Sequence, residues 1–550
     1  MRMPEIDNNI RHYNPKTMVF GGLNLTHDTH DGEFADTKCI TTKGYPWLQT
    51  VPDSAIDESF LGLADDVFVW DGDVYTVLTN NGETKLWKND DEIGAVAPGL
   101  KQMAVVNTKL VIYPDKVYVD MTDDTMHSLG TNVPDLDYIC ASENRLWGVS
   151  NADKTIYVSA LGDPASFFDY SGDSGSYSVA VGSEGNFTGI CAFGGSVLVW
   201  KENLLHKVLG SFPSEYYTID YPIYGVQKGS SKSLVVINNV LYYKGVYGIY
   251  QYGGNRPLNI SGKLGNGIYT DAVASGDADN YYIGMADPSG AYHLYVYDIK
   301  RGLWVKRYDR QMISAATSNM TAYFISPDKY GNNVLYTVSE HERANMNTEW
   351  MAELTEVTED TFDRKGYTKL NVRLDMAEYS TLQIYAKEDR RAYRKIWEMT
   401  NPVRKYYVQS QEIDTDHGDF DVQVDALPEE GDTIVFQCVG FDDFVTTWQK
   451  TVWPDNKNLE AEYLIDDNTV IDAFCYTDPE APEYGTILIG HRGLNGHTIS
   501  VWAPDGENNP VTQIVPIRLG RCDRWQLKFE GTGDVTIRGI QKDFVTGSEK

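Results

Sequence analysis

Val67-Phe68-Val69-Trp70-Asp71-Gly72-Asp73-Val74-Tyr75 reads as two short apolar strands hinged on an Asp-Gly turn. The chain repeats that pattern. Met103-Ala104-Val105-Val106-Asn107-Thr108-Lys109-Leu110-Val111, Ile139-Cys140-Ala141-Ser142-Glu143-Asn144-Arg145-Leu146-Trp147, Ile190-Cys191-Ala192-Phe193-Gly194-Gly195-Ser196-Val197-Leu198 and Val235-Val236-Ile237-Asn238-Asn239-Val240-Leu241-Tyr242-Tyr243 are further copies, with weaker ones near Asn280 and Asn319. The turn residues Gly72, Asn107, Asn144, Gly195, Asn239, Asn280 and Asn319 are spaced by 35, 37, 51, 44, 41 and 39 residues. Propeller blades recur at about 40 to 50 residues. Asn and Gly at the hinge supply the left-handed backbone that a tight hairpin needs. The expectation is an all-β chain built on a β-propeller of six or seven blades, a ring that leaves few strand edges open.

Outward from the repeat the texture changes. Residues 1–65 lack clean periodicity and hold Gly21-Gly22-Leu23-Asn24-Leu25 and Lys43-Gly44-Tyr45-Pro46-Trp47. They read as an extended arm with short strands, laid across a neighbouring subunit or closing the ring. The propeller is expected over 66–345. Lys369-Leu370-Asn371-Val372-Arg373-Leu374, Thr381-Leu382-Gln383-Ile384-Tyr385-Ala386, Arg524-Trp525-Gln526-Leu527-Lys528-Phe529 and Val535-Thr536-Ile537-Arg538-Gly539-Ile540 alternate polar with apolar residues. That is the pattern of a sheet with one wet face, and it predicts a C-terminal β-sandwich over 346–426 and 517–550. The Gly-, Asp- and Pro-punctuated stretch 427–516 reads as an inserted small β-subdomain. Helix is expected only over a turn or two, as at Asp163-Pro164-Ala165-Ser166-Phe167.

Composition narrows function. The 550 residues carry 79 acidic and 47 basic side chains, a formal net charge of -32. Such a balance opposes nucleic-acid wrapping, which needs phosphate neutralisation, and opposes anionic membrane surfaces. Six widely separated cysteines, Cys39, Cys140, Cys191, Cys438, Cys475 and Cys522, predict reduced thiols rather than a disulfide framework. The N-terminus shows no apolar signal core, and no stretch reaches the ~18 apolar residues of a membrane span. Synthesis in a cytoplasm and no membrane anchor are expected.

Chemistry-bearing motifs are sparse. His27-Asp28-Thr29-His30-Asp31 groups metal-ligating residue types, but no further Cys/His cluster is near in sequence to complete a set, so it is read as a solvated loop. Asp414-Thr415-Asp416-His417-Gly418-Asp419-Phe420-Asp421 has the carboxylate density of a calcium loop, yet its Gly stands fifth and Asp425 holds the twelfth place. It is read as an acidic turn. Thr79-Asn80-Asn81-Gly82-Glu83-Thr84-Lys85-Leu86-Trp87 resembles the structural aspartate box of sialidase propellers, with Asn81 in place of the Asp. Phosphate-loop, nucleophile-elbow and His-Glu-x-x-His motifs are absent from the sequence. Trp147, Tyr242 and Tyr243 fall on the strand period and are expected in blade cores. The expectation is therefore no enzyme, with no catalytic, cofactor-binding or metal residues and no cofactor.

One stretch resembles a known family. Asn144-Arg145-Leu146-Trp147-Gly148, Ile156-Tyr157-Val158-Ser159-Ala160-Leu161-Gly162-Asp163-Pro164, Val181-Gly182-Ser183-Glu184-Gly185-Asn186-Phe187-Thr188-Gly189, Lys201-Glu202-Asn203-Leu204-Leu205-His206-Lys207-Val208-Leu209-Gly210, Tyr224-Gly225-Val226-Gln227 and Leu241-Tyr242-Tyr243-Lys244-Gly245-Val246-Tyr247-Gly248-Ile249-Tyr250 resemble structural proteins of tailed bacteriophages. Gly21 to Leu25 is similar to their opening, and Arg521-Cys522-Asp523, Gly531 to Ile540 and Gly547-Ser548-Glu549 to their ending. The nearest types are propeller-bearing tail tube or nozzle (tail hub) proteins of short-tailed phages and minor tail proteins of phages of Gram-positive gut bacteria. The resemblance leaves 427–516 without a counterpart. It implies a virion protein made in the host bacterial cytoplasm. It also implies a homo-oligomeric ring, usually a hexamer, beside adaptor, portal and fibre proteins, with DNA passing through at genome ejection without specific binding. A receptor- or glycan-binding propeller, or a propeller glycosidase, are the alternative readings.

Overall fold

The computed structural model describes residues 10–56, 63–318, 321–328, 330–338, 340, 342–377, 380–401, 404–414, 417–424, 428–429, 431–440, 444–447, 461–466, 469–477, 485–492, 494–504 and 512–546. Seven four-stranded antiparallel sheets follow one another among these residues. Blade 1 spans 63–95, blade 2 spans 102–128, blade 3 spans 138–180, blade 4 spans 189–221, blade 5 spans 235–259 and blade 6 spans 270–308. Blade 7 takes three strands from 314–338 and its outermost strand from Ala55–Ile56, which pairs with Thr337 and Tyr336. The expected β-propeller is thus present with seven blades, and the ring is sealed by chain that precedes blade 1. The sequence reading placed that sealing strand in the arm.

Hinge chemistry sets each blade's first turn. Asp71 and Gly72, Glu143 and Asn144, and Asn238 and Asn239 all have positive φ, as a two-residue turn matching strand twist requires. Asn280 departs from this, since it opens the strand Asn280–Ala286 while Asp277 accepts from its backbone N–H at 2.7 Å. Asn319 lies outside the described residues.

The second strands show why each blade reads as an apolar run. All six residues of Arg145–Ser150 and of Ser196–Lys201 are buried. Leu146 packs with Val111 and Tyr113 of blade 2, while its neighbours Trp147 and Val149 pack with Val197 and Val199 of blade 4. Leu198 and Trp200 turn the other way, onto Leu241 and Tyr243 of blade 5. Period two persists, but both faces of the sheet meet another blade, so neither face is wet. Each such large side chain contributes about 1.5–3 kcal/mol by leaving water. Trp147 and Tyr243 are buried in these interfaces, and Tyr242 is buried against Tyr281 of blade 6.

Two further sheets form the sandwich. One runs Ile40–Thr41, Leu48–Thr50, Val535–Thr546, Gly366–Met376, Thr512–Pro516, with Arg11–Tyr13 and Lys16–Thr17 also on Val535–Thr546. The other runs Phe34–Lys38, Glu349–Leu354, Trp525–Thr532, Ser380–Glu388, Arg394–Asn401. Tyr367 of the first stacks on Trp525 of the second with ring centroids 3.7 Å apart. The arm therefore supplies strands to the sandwich of its own chain.

The same arm docks on blade 6. Gly22 has φ +76°, and a Cβ there would stand 2.8 Å from the Trp304 carbonyl oxygen. This close approach lets Leu23 N–H donate to Trp304 O at 2.6 Å. Thr37 Oγ1 donates to Lys306 O at 2.7 Å and accepts from Lys306 N–H at 2.8 Å. Arg307, fully buried, donates to Pro52 O at 2.7 Å and lies 3.1 Å from Glu340 Oε1 as an ion pair without hydrogen-bond alignment.

A second compact unit comprises 374–382 and 398–513. In it Arg404–Glu412 pairs with Thr498–Pro504, which also pairs Thr433–Cys438, and His417–Val424 pairs with Gly485–Arg492. Arg404 lies over the Trp502 ring, 4.3 Å from its centroid. The sequence reading began this inserted unit at 427 and gave 398–426 to the sandwich. The partners of those strands lie in 485–504, and alternation alone cannot reveal a partner. The segment Asp163 to Phe167 is a turn rather than helix, with Asp163 Oδ1 accepting from Ala165 N–H at 3.1 Å. Among the described residues the helical turns are the short 3-10 segments Pro213–Glu215, Ser231–Ser233 and Gly262–Leu264.

Candidate functional site

The propeller axis holds the first candidate, a cavity of about 350 Å3. Asp66 lies at its wall, buried within the inner strand of blade 1. Its Oδ1 accepts from Lys232 Nζ at 2.5 Å and from the Ser314 hydroxyl, and its Oδ2 accepts from Lys101 N–H at 2.5 Å. One carboxylate thereby links blade 1 to the entries of blades 2, 5 and 7. Lys101 Nζ in turn pairs with Asp115 at 2.7 Å, both side chains nearly inaccessible. Ser275 adds a buried hydroxyl without a partner to the lining. The cations are thus neutralised from within, and the space left suits water or a small polar molecule.

The second candidate contains the histidine segment. A cleft of about 930 Å3 is lined by His27, His30, Asp31, Glu356, Glu359 and Arg524, among others. The loop is held by its own turn chemistry: Asn24 Nδ2 donates to Asp28 O at 2.8 Å, and Glu33 Oε2 accepts from Asn24 at 2.6 Å and His30 N–H at 2.7 Å. Burial raises the Glu33 carboxyl, but these bonds and Lys263 outweigh it and hold the group below its ordinary range. Beneath the cleft, buried Lys542 lies 2.7 Å from Glu359 and 3.0 Å from Asp31. Among the described residues, no three His, Cys, Asp or Glu side chains converge as a metal requires.

The third candidate left no motif in the sequence. Ser183, in the loop before blade 4, lies 2.9 Å from His206 Nε2, and His206 Nδ1 lies 2.5 Å from Asp220 Oδ1. The three stand in the order of a hydrolase triad. Two features oppose that chemistry. Lys201 Nζ donates to Ser183 Oγ at 2.7 Å and to its carbonyl at 2.8 Å, pinning the loop, and Asp220 is the exposed member while His206 is buried. Neither of the two cavities above is lined by Ser183. Burial pushes Lys201 below the ordinary lysine range. The signal for this row was spacing on neighbouring strands, visible only once Lys207↔Ile219 and His206↔Asp220 are known to pair.

The remaining sequence candidates fall elsewhere. Asn81 and Gly82 form the positive-φ turn between Asp73–Asn80 and Glu83–Lys88, a structural hairpin. Thr415 and Asp416 lie outside the described residues, and His417–Val424 is a paired strand rather than a loop that wraps an ion. Cys39, Cys140, Cys191, Cys438 and Cys522 are free thiols, and burial pushes Cys191 up to about 12 and Cys39 up to about 11. Cys475 has no described side chain.

No known protein family's model matches the chain, and no curated protein does. Solved structures similar to it include U3-55K, at 11% identity over 52% of this chain and 98% of that one with a TM-score of 0.36. The β-propeller domain of the Trilobed protease from Pyrococcus furiosus, described as having an open velcro topology, matches at 11% over 51% and 96% with a TM-score of 0.35. Sqt1 of Saccharomyces cerevisiae matches at 10% over 52% and 98% with a TM-score of 0.34.

Proposed function

We propose that this chain is a non-enzymatic structural component of a bacteriophage tail, a ring-forming tube or nozzle protein around the path of DNA ejection. The observation that carries the reading is where its phage-like stretches fall. Gly21 to Leu25 is the wedge between the arm and blade 6, meeting Trp304 and Lys263. Cys522 exchanges backbone hydrogen bonds with Lys365 at 2.8 and 3.0 Å inside the sandwich. These two stretches lie at joints of the scaffold, and the longest run of resemblance, Asn144 to Tyr250, forms the sheets of blades 3 to 5.

Charge supports the same reading. Lys101, Lys232, Arg307 and Lys542 are paired inside the fold, and the chain as a whole carries 79 acids against 47 bases. A negative wall offers phosphates no foothold. Electron micrographs of the purified chain should show closed rings, and mass spectrometry should find it in virions. A monomer that never occurs in virions sinks the proposal.

A further inference from the structure

A propeller hides its inner strands and must manage seven outer edges. Unprotected edges recruit other strands, so they are kept short, bulged, charged or covered. Most outer strands here follow that rule. Asp91–Ala95 of blade 1 carries two acids and is bulged between Glu92 and Gly94. Leu258–Asn259 of blade 5 and Ala55–Ile56 of blade 7 are two residues long. Thr125–Ser128 and Tyr177–Ala180, on blades 2 and 3, have four. Leu303–Tyr308 of blade 6 is covered by the chain's own arm through Leu23, Thr37 and Cys39.

Blade 4 breaks the rule. Its outer strand Tyr217–Tyr221 runs in unbroken register with Leu204–Leu209, and four of its five residues are exposed. It contains no Lys, Arg, Gly or Pro. Tyr217 and Tyr221 share a face and are 56% and 39% exposed. Beyond Pro222, exposed Tyr224 and Tyr247 meet edge to face with centroids 5.4 Å apart, and Tyr224 stacks on Tyr250 at 5.9 Å. Tyr250 belongs to the core between blades 4 and 5, so the aromatic surface rests on a rigid base. Rigid, amphipathic tyrosines are the residues that anchor protein contacts at low entropic cost.

We propose that the edge Tyr217–Tyr221, with Tyr224 and Tyr247, is a strand-addition site for an extended polypeptide segment that carries basic and apolar residues and no acids. The backbone edge selects a polypeptide, because every second residue of an edge strand turns its N–H and C=O outward and only a peptide matches that spacing. On blade 6 the chain's own arm meets the corresponding edge through isolated hydrogen bonds to Trp304, Lys306 and Arg307, whereas the edge of blade 4 keeps a continuous row for a whole strand. Charge selects the basic class: Glu215 precedes the edge and the exposed carboxylate of Asp220 lies within it, on a chain of net charge -32. The site stands independently of the phage-tail reading.

The test uses the full-length protein and two labelled probes, a short peptide alternating lysine and valine and its glutamate–valine counterpart. Fluorescence anisotropy should show binding of the first and none of the second, with amide exchange slowed at 217–221. Tyr217→Lys and Tyr221→Lys should each weaken binding by about tenfold or more, the loss expected for one anchoring side chain. Tyr170→Lys, at an exposed tyrosine of blade 3, should leave it unchanged, and thermal melts will establish that all three variants fold. Equal binding of both peptides, or protection that appears elsewhere, overturns the proposal. So does self-association of the wild type that Tyr217→Lys abolishes without any peptide bound, since the edge would then belong to a second copy.

Discussion

The outer edges of blades 6 and 4 are built alike and finished differently. Each has a histidine on the third strand that meets an aspartate at the outer edge: His293 Nδ1 lies 2.6 Å from Asp309 and His206 Nδ1 lies 2.5 Å from Asp220. Blade 6 is then covered by the arm, and its outer strand becomes the joint between ring and sandwich. Among the described residues no strand pairs with the outer edge of blade 4, which is dressed with tyrosine. One ring thus uses the same structural position once as an internal weld and once as an outward face. The difference teaches that edge protection in a propeller is assigned blade by blade, by whatever chain is at hand to cover it.

The comparison can be broken first at the weld. Glu340→Ala strands the Arg307 guanidinium inside the joint, where removing one member of a buried pair costs about 3–5 kcal/mol. Denaturant unfolding should register that loss, and a cost under ~1 kcal/mol would mean that Arg307 leans on Pro52 and Tyr308 instead. Gly22→Val adds left-handed strain of about 1–3 kcal/mol and a clash with Trp304 O. Limited proteolysis should then cut the arm near 20–40 before the blades, and an arm that stays resistant would refute its role as a cap.

On blade 4, Ser183→Ala removes bonds to Lys201 and His206, and its expected cost is about 1 kcal/mol. The wild type should not react with a fluorophosphonate. Covalent labelling of Ser183 would turn this scaffold row into a hydrolase site. The smallest effect is one of pH. Asp309, together with Asp287, holds His293 above its ordinary range, while His293 and Lys306 push Asp309 down to about 2. The histidine's contribution is complete below its unfolded value of about 6.5 and fades as pH rises through the raised one. The aspartate's contribution is complete above its unfolded value, ~3.9, and fades as pH falls toward about 2. The wild-type melting temperature should therefore decline from pH 6 to 9 more than that of His293→Gln. Parallel curves would remove the blade 6 pair from the comparison.

Much of the ring was legible from its hinges. Asp71-Gly72, Glu143-Asn144 and Asn238-Asn239 demand tight turns, and the apolar runs around them demand burial on both faces. The alternation around Lys369 and Val535 marked sandwich strands, but it could not say that Phe34–Lys38 and Leu48–Thr50 would join them. Asp66, which ties blade 1 to blades 2, 5 and 7, stands at the expected start of the propeller, and the sequence reading gave it no role. A charge inside the apolar strand Leu63–Trp70 was the available clue. The histidine segment drew notice by composition, yet its side chains line a cleft rather than converge. The Ser183, His206 and Asp220 row escaped notice because its members come from a loop and two strands.

By itself the sequence determined the blades, because turn preference and period-two burial act over a few neighbouring residues. Only the tertiary structure decided what closes the ring, what covers each edge and which charges meet. Ala55 pairs with Thr337, and Asp66 accepts a hydrogen bond from the Ser314 hydroxyl, 248 positions away. Closing a loop that long costs little more than closing a shorter one, so such partners leave no local trace. They are selected by shape and charge across the folded molecule.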